Sequence, residues 1–363
     1  MIYEYVVVGA GIAGCSVAHE IRKKTSSILL IEKNESIAQG ASGAAGAFLS
    51  PLLGKPNDFK DLVNNALVYS VDYYKTNFSN CINNCGTLRI PKDTVAQKQF
   101  TSYQPYIDFD YTQKDDGYFF PIGSVVDSKG ICESLTKDVK KLFNTNIDTL
   151  DFNGGIYLLN NSIKTKKIIL TTGHCTKLID ELYLNIRAVW GQRIDVKTSS
   201  KTSYNYHKNC SVSISTPMSD DFNRVSIGAT HHRFVDHKEI DEEDTKKLLD
   251  LASQIVQLDN VEVINQVAGA RASSMDYFPI VGSLVDSTLT FKHYPYIKKG
   301  SKVPVEKYTV YPNLFVLNGL GGRGFVLAAY LANILVNNLF DQQSINKNIQ
   351  SHRLFQRWAR KQH

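Results

Sequence analysis

Apolar and polar positions change period along this chain, and the changes mark out elements. Residues 3–8 are a short apolar run rich in β-branched side chains, the pattern of a strand covered on both faces. Gly9, Gly11 and Gly14 follow at once, spaced by small residues, and residues 16–24 have helical character. Residues 27–31 form a second apolar run that ends at Glu32. Farther on, residues 64–77 read as a helix with aromatic anchors, and residues 131–143 as another with Ser128 as its N-cap. Residues 167–172 read as a strand running into Gly173. Strand-like pieces occupy 189–230, among them 193–196 and 211–215, before an acidic-start amphipathic helix over 241–257. Residues 314–318 read as a buried strand, then Gly319 to Phe325 form a second glycine-rich turn into an apolar helix reaching Leu335.

Strand, glycine turn, helix, strand and terminal acid, in that order, make a dinucleotide-binding unit. The glycines permit the tight turn and a close phosphate approach, and the helix N-terminus stabilises a pyrophosphate. Glu32 would accept hydrogen bonds from the adenosine ribose. Beyond this unit the βα pattern does not repeat. The expected fold is therefore α/β, with a discontinuous Rossmann-like domain over residues 1–84, 122–188 and 266–363. A β-rich α+β substrate domain is expected over 85–121 and 189–265.

Composition narrows the class. A chain of 363 residues is long enough for about two domains, and 43% hydrophobic with 21% charged residues excludes wholesale disorder. The longest apolar stretch, 324–335, is about half of the ~20 residues a spanning helix needs, so no transmembrane segment is expected. Six cysteines without a C-x-x-C pair suggest reduced thiols in a cytoplasmic protein rather than a disulfide or metal site. Residues 12–15 have the look of a lipoprotein cleavage box. No Lys or Arg precedes them, so folding is expected to start at residue 1. The net charge of +6 is local: 347–363 carries +5 and 292–307 carries +4. Such segments suit contact with a polyanion.

The first fingerprint alone fits NAD or FAD. The C-terminal turn favours FAD, because a helix N-terminus there can face the flavin and stabilise its reduced anion. Gly321, Gly322, Gly324 and Phe325 would form that turn, with Arg323 adding positive charge. Ala41, Ser42 and Gly43 lie in a small-residue stretch that would let the backbone pass close to the ribityl chain.

Together these pieces resemble the D-amino-acid-oxidase superfamily of FAD proteins. Within it, the sequence is similar to the FAD-dependent C-terminal half of the MnmC family, the bifunctional tRNA 5-methylaminomethyl-2-thiouridine biosynthesis proteins. The likeness rests on Ala41-Ser42-Gly43 with Pro51-Leu52-Leu53, Gly191-Gln192, and Ile227 to Arg233. It continues through Arg271 with Asp276, Pro279 and Gly282, then Leu320 to Gly324, and Arg353-Leu354-Phe355. Two departures stand out: there is no counterpart of the methyltransferase half, and Ala44, Ala45 and Gly46 replace polar residues.

The resemblance implies oxidation of the 5-carboxymethylaminomethyl group on a tRNA wobble uridine. Hydride would pass from the glycine-like methylene to flavin N5, and the resulting imine would hydrolyse to glyoxylate and the 5-aminomethyl nucleoside. A separate methyltransferase would then act on the product. No side-chain base is demanded if desolvation lowers the amine pKa. Arg271 would grip the substrate carboxylate, unless it is instead a structural partner of Asp276. Gln192 is a further substrate candidate. His231 and His232 would point to opposite faces of a strand, so only one of them can face a pocket, and a solvated or core histidine is the blander reading of either. Lys298, Lys299, Lys302, Arg353, Arg357, Arg360 and Lys361 are the expected tRNA contacts. No metal site and no stable membrane association are expected. The alternative enzyme is an oxidase or dehydrogenase of a free amino acid: glycine, sarcosine or a D-amino acid. Two other classes are a peripheral membrane dehydrogenase held by Ile345, Ile349, Phe355 and Trp358, and a non-catalytic flavin- or RNA-binding module.

Overall fold

The computed structural model describes residues 1–175, 178–219, 221–235 and 239–362. The continuous apolar run at the N-terminus becomes strand Ile2–Val8, at the centre of an eight-stranded sheet. Lys140–Leu142, Ile28–Ile31, Ile2–Val8, Ile163–Leu170 and Val310–Asn318 lie side by side and parallel. Ile280–Val285 adds an antiparallel edge, and the hairpin of Leu150–Asn153 and Ile156–Leu159 pairs with the start of Ile163–Leu170. Both faces are covered, which explains the unbroken hydrophobicity of the first strand. Tyr5 and Val7 pack toward helices Ile12–Lys24 and Gly324–Asp341. Val6 and Val8 pack toward a second core with Tyr183, Leu184, Ile297, Leu354 and Phe355.

A ten-stranded sheet stands beside this one. Its long strand Arg187–Thr198 pairs with Glu262–Ser273 along one edge and with Asn223–Gly228 and His232–Arg233 along the other. The sheet continues through Ser211–Val212, Asn205–His207, Thr87–Arg89 and Gly117–Phe120. Helix Glu242–Ser253 covers one face by packing Leu248 and Ala252 on Ile194, Val196, Val225 and Ile227. The expected cuts at 188/189 and 265/266 fall inside single strands of this sheet.

Three expectations are corrected. The helix expected over 131–143 is Ser128–Leu135, capped by Asp127 rather than Ser128. The Thr136 hydroxyl donates to Cys132 O at its end, and the chain turns into edge strand Lys140–Leu142. Pairing with Ile28–Ile31 overrides the helical propensity there. The C-terminal apolar helix runs on to Asp341, and with its preceding turn it is long and apolar enough to span a bilayer by composition alone. It is a core helix: Phe325 to Ala329 and Leu331 to Leu335 are largely buried, and Ser70 and Tyr74 of helix Asp58–Asn77 donate to its Val326 and Phe325 carbonyls. An interfacial membrane face at the tail is also overturned. Ile345, Ile349 and Phe355 are buried, and helix His352–Ala359 spends its apolar side on the core.

Candidate flavin and substrate cleft

The fingerprint turn is held by close packing. Gly9 has φ +102°, and a Cβ there would lie 2.6 Å from Thr171 O. A Cβ on Gly14 would lie 1.8 Å from Gly9 O, so only glycine lets the helix start this close to the strand. Thr171 locks the turn from the return strand, its hydroxyl donating to Val8 O (2.8 Å) and Gly9 O (2.9 Å). Gly11 is different. A Cβ there would meet only Ser42 Oγ at 3.1 Å, and its other side is open to a cleft of about 1820 Å³. Glu32 accepts from Ala10 N (2.7 Å) through one oxygen and from Asn34 N and Nδ2 through the other, with one edge facing the cleft.

The second glycine turn arrives beside the first. A Cβ on Gly324 would lie 3.2 Å from Ile12 Cγ2, so the two helix N-termini stand together at the cleft. Asn318 fastens the incoming strand, donating to Gly173 O (2.8 Å) and accepting from Gly319 N (2.8 Å). Ala41, Ser42 and Gly43 form a short helical turn over Gly269 of the second sheet, where a Cβ would lie 2.9 Å from that of Ala44. Ser42 Oγ accepts from Ile12 N (2.9 Å), and Arg193 of the second sheet donates to Ala45 O.

The cleft exceeds the ~300–1,000 Å³ of an ordinary small-molecule pocket, leaving room for an extended dinucleotide and a substrate. Its open glycine face, paired helix N-termini and ribose-facing acid fit FAD. Gly9, Gly11 and Glu32 would hold the adenosine diphosphate half, and Gly14 keeps the helix close behind them without lining the cleft. Ala41, Ser42, Gly173 and the turn of Gly321, Gly322, Gly324 and Phe325 would line the flavin half, whereas Gly43, expected there, packs against Ala38 O and does not line the cleft.

Beyond that half the wall is cationic. Arg271 Nη1 donates to Thr230 O (3.2 Å), and no carboxylate among the described residues pairs with it. Asp276, its expected alternative partner, instead takes a two-point bond from Arg353, with Nε at 2.9 Å and Nη2 at 3.0 Å. Gly191 makes the space: a Cβ there would lie 2.4 Å from Arg271 Nη1. Burial lowers the Arg271 pKa, and it brings that of Arg323 down to about 10. His231 lines the cleft with its surface partly open to solvent, and its pKa is brought down to about 4 by desolvation and by neighbouring Arg271. His232 points the other way, with Nε2 2.7 Å from Asp244 Oδ2.

Several expected contacts lie elsewhere. Gln192 is buried away from the cleft, donating to Asp241 O, Thr245 Oγ1 and Gln266 Oε1 and accepting from Asp241 N. Its amide anchors the helix that follows Asp241. Arg353 is tied to Asp276, Gln350 O and Phe278 O, which leaves it little to offer a nucleic acid. Lys298, Lys299, Lys302, Arg357, Arg360 and Lys361 are exposed. Sequence reasoning passed over Thr171, Asn318, Arg193 and Arg89. Only Thr171 and Asn318 left a trace, each at the end of an apolar run that leads into a glycine, Gly173 and Gly319.

Comparison with known proteins agrees with this geometry. The family described as FAD dependent oxidoreductase (DAO) matches residues 4–338. The bifunctional tRNA 5-methylaminomethyl-2-thiouridine biosynthesis protein MnmC of Legionella pneumophila (strain Lens) is 25% identical over 348 residues, covering 88% of this chain and 51% of that protein. The MnmC of Campylobacter concisus (strain 13826) is 25% identical, covering 92% of this chain and 55% of that protein. The chain thus spans about half the length of the curated relatives it matches. Among solved structures, glycine oxidase from Bacillus cereus ATCC 14579 has the same fold, with a TM-score of 0.75 at 15% identity, covering 94% of this chain and 96% of that one. Iminodiacetate oxidase from Chelativorans sp. BNC1 has a TM-score of 0.70 at 16% identity, covering 96% of this chain and 98% of that one.

Proposed function

The chain belongs to the family of FAD-dependent oxidoreductases, and from that premise we propose that its amine substrate is the 5-carboxymethylaminomethyl group of a tRNA wobble uridine. The products are glyoxylate and 5-aminomethyluridine. FAD, when bound, supplies the two-electron acceptor.

The observation that carries this reading is Arg271, a guanidinium in the cleft wall with no acid partner among the described residues and with its room guaranteed by Gly191. It suits an N-substituted glycine, whose carboxylate it binds while the adjacent methylene is held toward the flavin half of the cleft. His231 is neutral at pH 7 and adds no competing charge. The burial that lowers the Arg271 pKa, together with its positive charge, also favours the neutral amine, the form that is oxidised. Water then adds to the product imine, and glyoxylate leaves. Arg323 sits at the second helix N-terminus, where positive charge stabilises a reduced, anionic flavin.

The tRNA part is supported by the similarity to MnmC proteins and by the two basic segments, which meet in space. Lys298 Nζ lies 4.7 Å over the Phe291 ring, and Phe291 packs on Phe355 and Trp358 of helix His352–Ala359. Lys298 thus lies beside helix His352–Ala359, the helix that carries Arg357. This reading places the enzyme in the cytoplasm, ahead of a methyltransferase that consumes its product. The test is nucleoside mass spectrometry of tRNA bearing 5-carboxymethylaminomethyluridine after incubation with the purified holoenzyme. The expected result is its conversion to 5-aminomethyluridine with glyoxylate released. Turnover of free glycine or sarcosine with the tRNA unchanged would assign the enzyme to free amino acids.

A further inference from the structure

The cleft holds more positive charge than one substrate carboxylate requires. Glu32 and Asp148 are its lining acids among the described residues, and Glu32 is engaged at the fingerprint. Lys33 lies next to Glu32, and the remaining wall carries Arg89, Lys92, Lys208, Arg271 and Arg323. Arg89 is the least expected of these. It ends strand Thr87–Arg89 of the second sheet, directly opposite His207 on the parallel neighbouring strand. Its Nη1 donates to Pro51 O (2.9 Å), which fixes the guanidinium beside the segment that follows the small-residue stretch. Nε and Nη2 donate to no described residue, and no carboxylate among the described residues pairs with the group.

His207 cannot offset this charge. Its Nδ1 is hydrogen-bonded to Ser211 Oγ, its ring packs edge-on against Phe48, and burial together with Arg89 and Arg323 holds it neutral. Arg89 itself is lowered to about 10 by burial and by the like charge of Arg323. Cations that outnumber the acids in the wall of one cleft repel one another, and an anion bound among them removes that repulsion. The planar fork of an arginine with a free edge matches a phosphate or a carboxylate.

We propose that Arg89, with Lys92, forms a second anion subsite that binds an anionic group of the substrate other than the carboxylate held by Arg271. This rests on the assignment of Arg271 to that carboxylate. The substrate is accordingly at least dianionic, and glycine or sarcosine fills only half of the site. The second group is a phosphate if the substrate is a nucleotide of an RNA, and a carboxylate if it is a small iminodiacid.

Two substrate pairs separate these sources. One is 5-carboxymethylaminomethyluridine as the free nucleoside against its 5′- and 3′-monophosphates; the other is sarcosine against iminodiacetate. Each is measured with the wild-type holoenzyme and with Arg89→Gln, by kcat/KM and by equilibrium binding read from the flavin absorbance. The expected result is at least a tenfold preference for the anion-bearing member of one pair, erased by Arg89→Gln, with the other member and the flavin content unchanged. A preference within the nucleotide pair identifies a phosphate. A preference within the iminodiacetate pair alone identifies a carboxylate, upholding the subsite while the tRNA reading fails. Conversion of tRNA at the same rate by wild type and Arg89→Gln, with no preference in either pair, would leave the tRNA reading standing and overturn the subsite. An equal loss on both members of a pair, or no binding of any of these compounds, would also overturn it.

Discussion

At the scale of single residues, the cleft depends on what is missing as much as on what is present. Gly191 lies against Arg271, and a Cβ there would also come within 2.3 Å of Thr230 O, which is backbone and cannot rotate away. Gly191→Ala should therefore displace the guanidinium and imitate Arg271→Lys. Both should raise KM for the glycine-type substrate about ten- to a hundredfold, the equivalent of losing ~1.5–3 kcal/mol from one charge-assisted contact. Both should leave bound FAD intact, which steady-state kinetics and the flavin spectrum together will check. His207 and His231 make a separate prediction. Their folded pKa values lie below the ordinary 6.5, so the folded state resists protons that the unfolded chain accepts. Their contribution to stability is complete above pH 6.5 and is lost as pH falls below it, for His231 toward about 4. His207→Asn, which keeps a side-chain group for Ser211, combined with His231→Asn should flatten the decline of Tm between pH 7 and 4.5 relative to wild type.

At the scale of elements, two glycine turns bring two helices to one point, and one arginine fastens the C-terminal helix to Asp276. Gly14→Ala would force helix Ile12–Lys24 away from strand Ile2–Val8, because the added methyl would overlap Gly9 O. The expected outcome is loss of FAD binding, seen as a colourless protein that added FAD does not restore. In the tail, neighbouring arginines have different work. Arg353 is half-buried on Asp276, whereas Arg357 and Arg360 are exposed. Arg353→Ala should lower stability by about 1.5–3 kcal/mol in denaturant titration. Arg357→Ala with Arg360→Ala should leave stability within ~0.5 kcal/mol and weaken RNA binding instead. Each comparison needs only unfolding curves and a filter-binding assay.

At the scale of the molecule, the FAD-binding sheet and the second sheet meet over the cleft, and the two basic segments around Lys298 and Arg357 pack on the core of the former. If those segments carry tRNA, affinity should fall steeply with salt. With ~4–6 phosphate contacts the log–log slope should be about −3 to −5, since each neutralised phosphate releases counterions. Neutralising Lys298, Lys299 and Lys302, or Arg357, Arg360 and Lys361, should flatten the slope without changing the flavin spectrum. A salt-independent affinity would assign those residues to an ordinary solvated surface.

The fingerprint was legible in the sequence because its determinants are local: Gly9, Gly11, Gly14 and Glu32 lie within one strand–turn–helix–strand unit whose conformations follow from neighbouring residues. The second glycine turn and the two basic segments were legible for the same reason. What tertiary structure decided is which side chains are left free to act. Arg271 is available because Arg353, distant in sequence, takes Asp276, and because Gly191 on the adjacent strand has no side chain. Gln192, next to Gly191, is turned to the opposite face of the same strand and spent on the helix after Asp241. Arg89 enters the cleft only because Thr87–Arg89 pairs with Asn205–His207, and edge strand Lys140–Leu142 forms only where Ile28–Ile31 offers it hydrogen bonds. A side chain's partner in a folded chain is set by strand register and by competition among distant groups. Neither is written in the spacing of residues along the sequence.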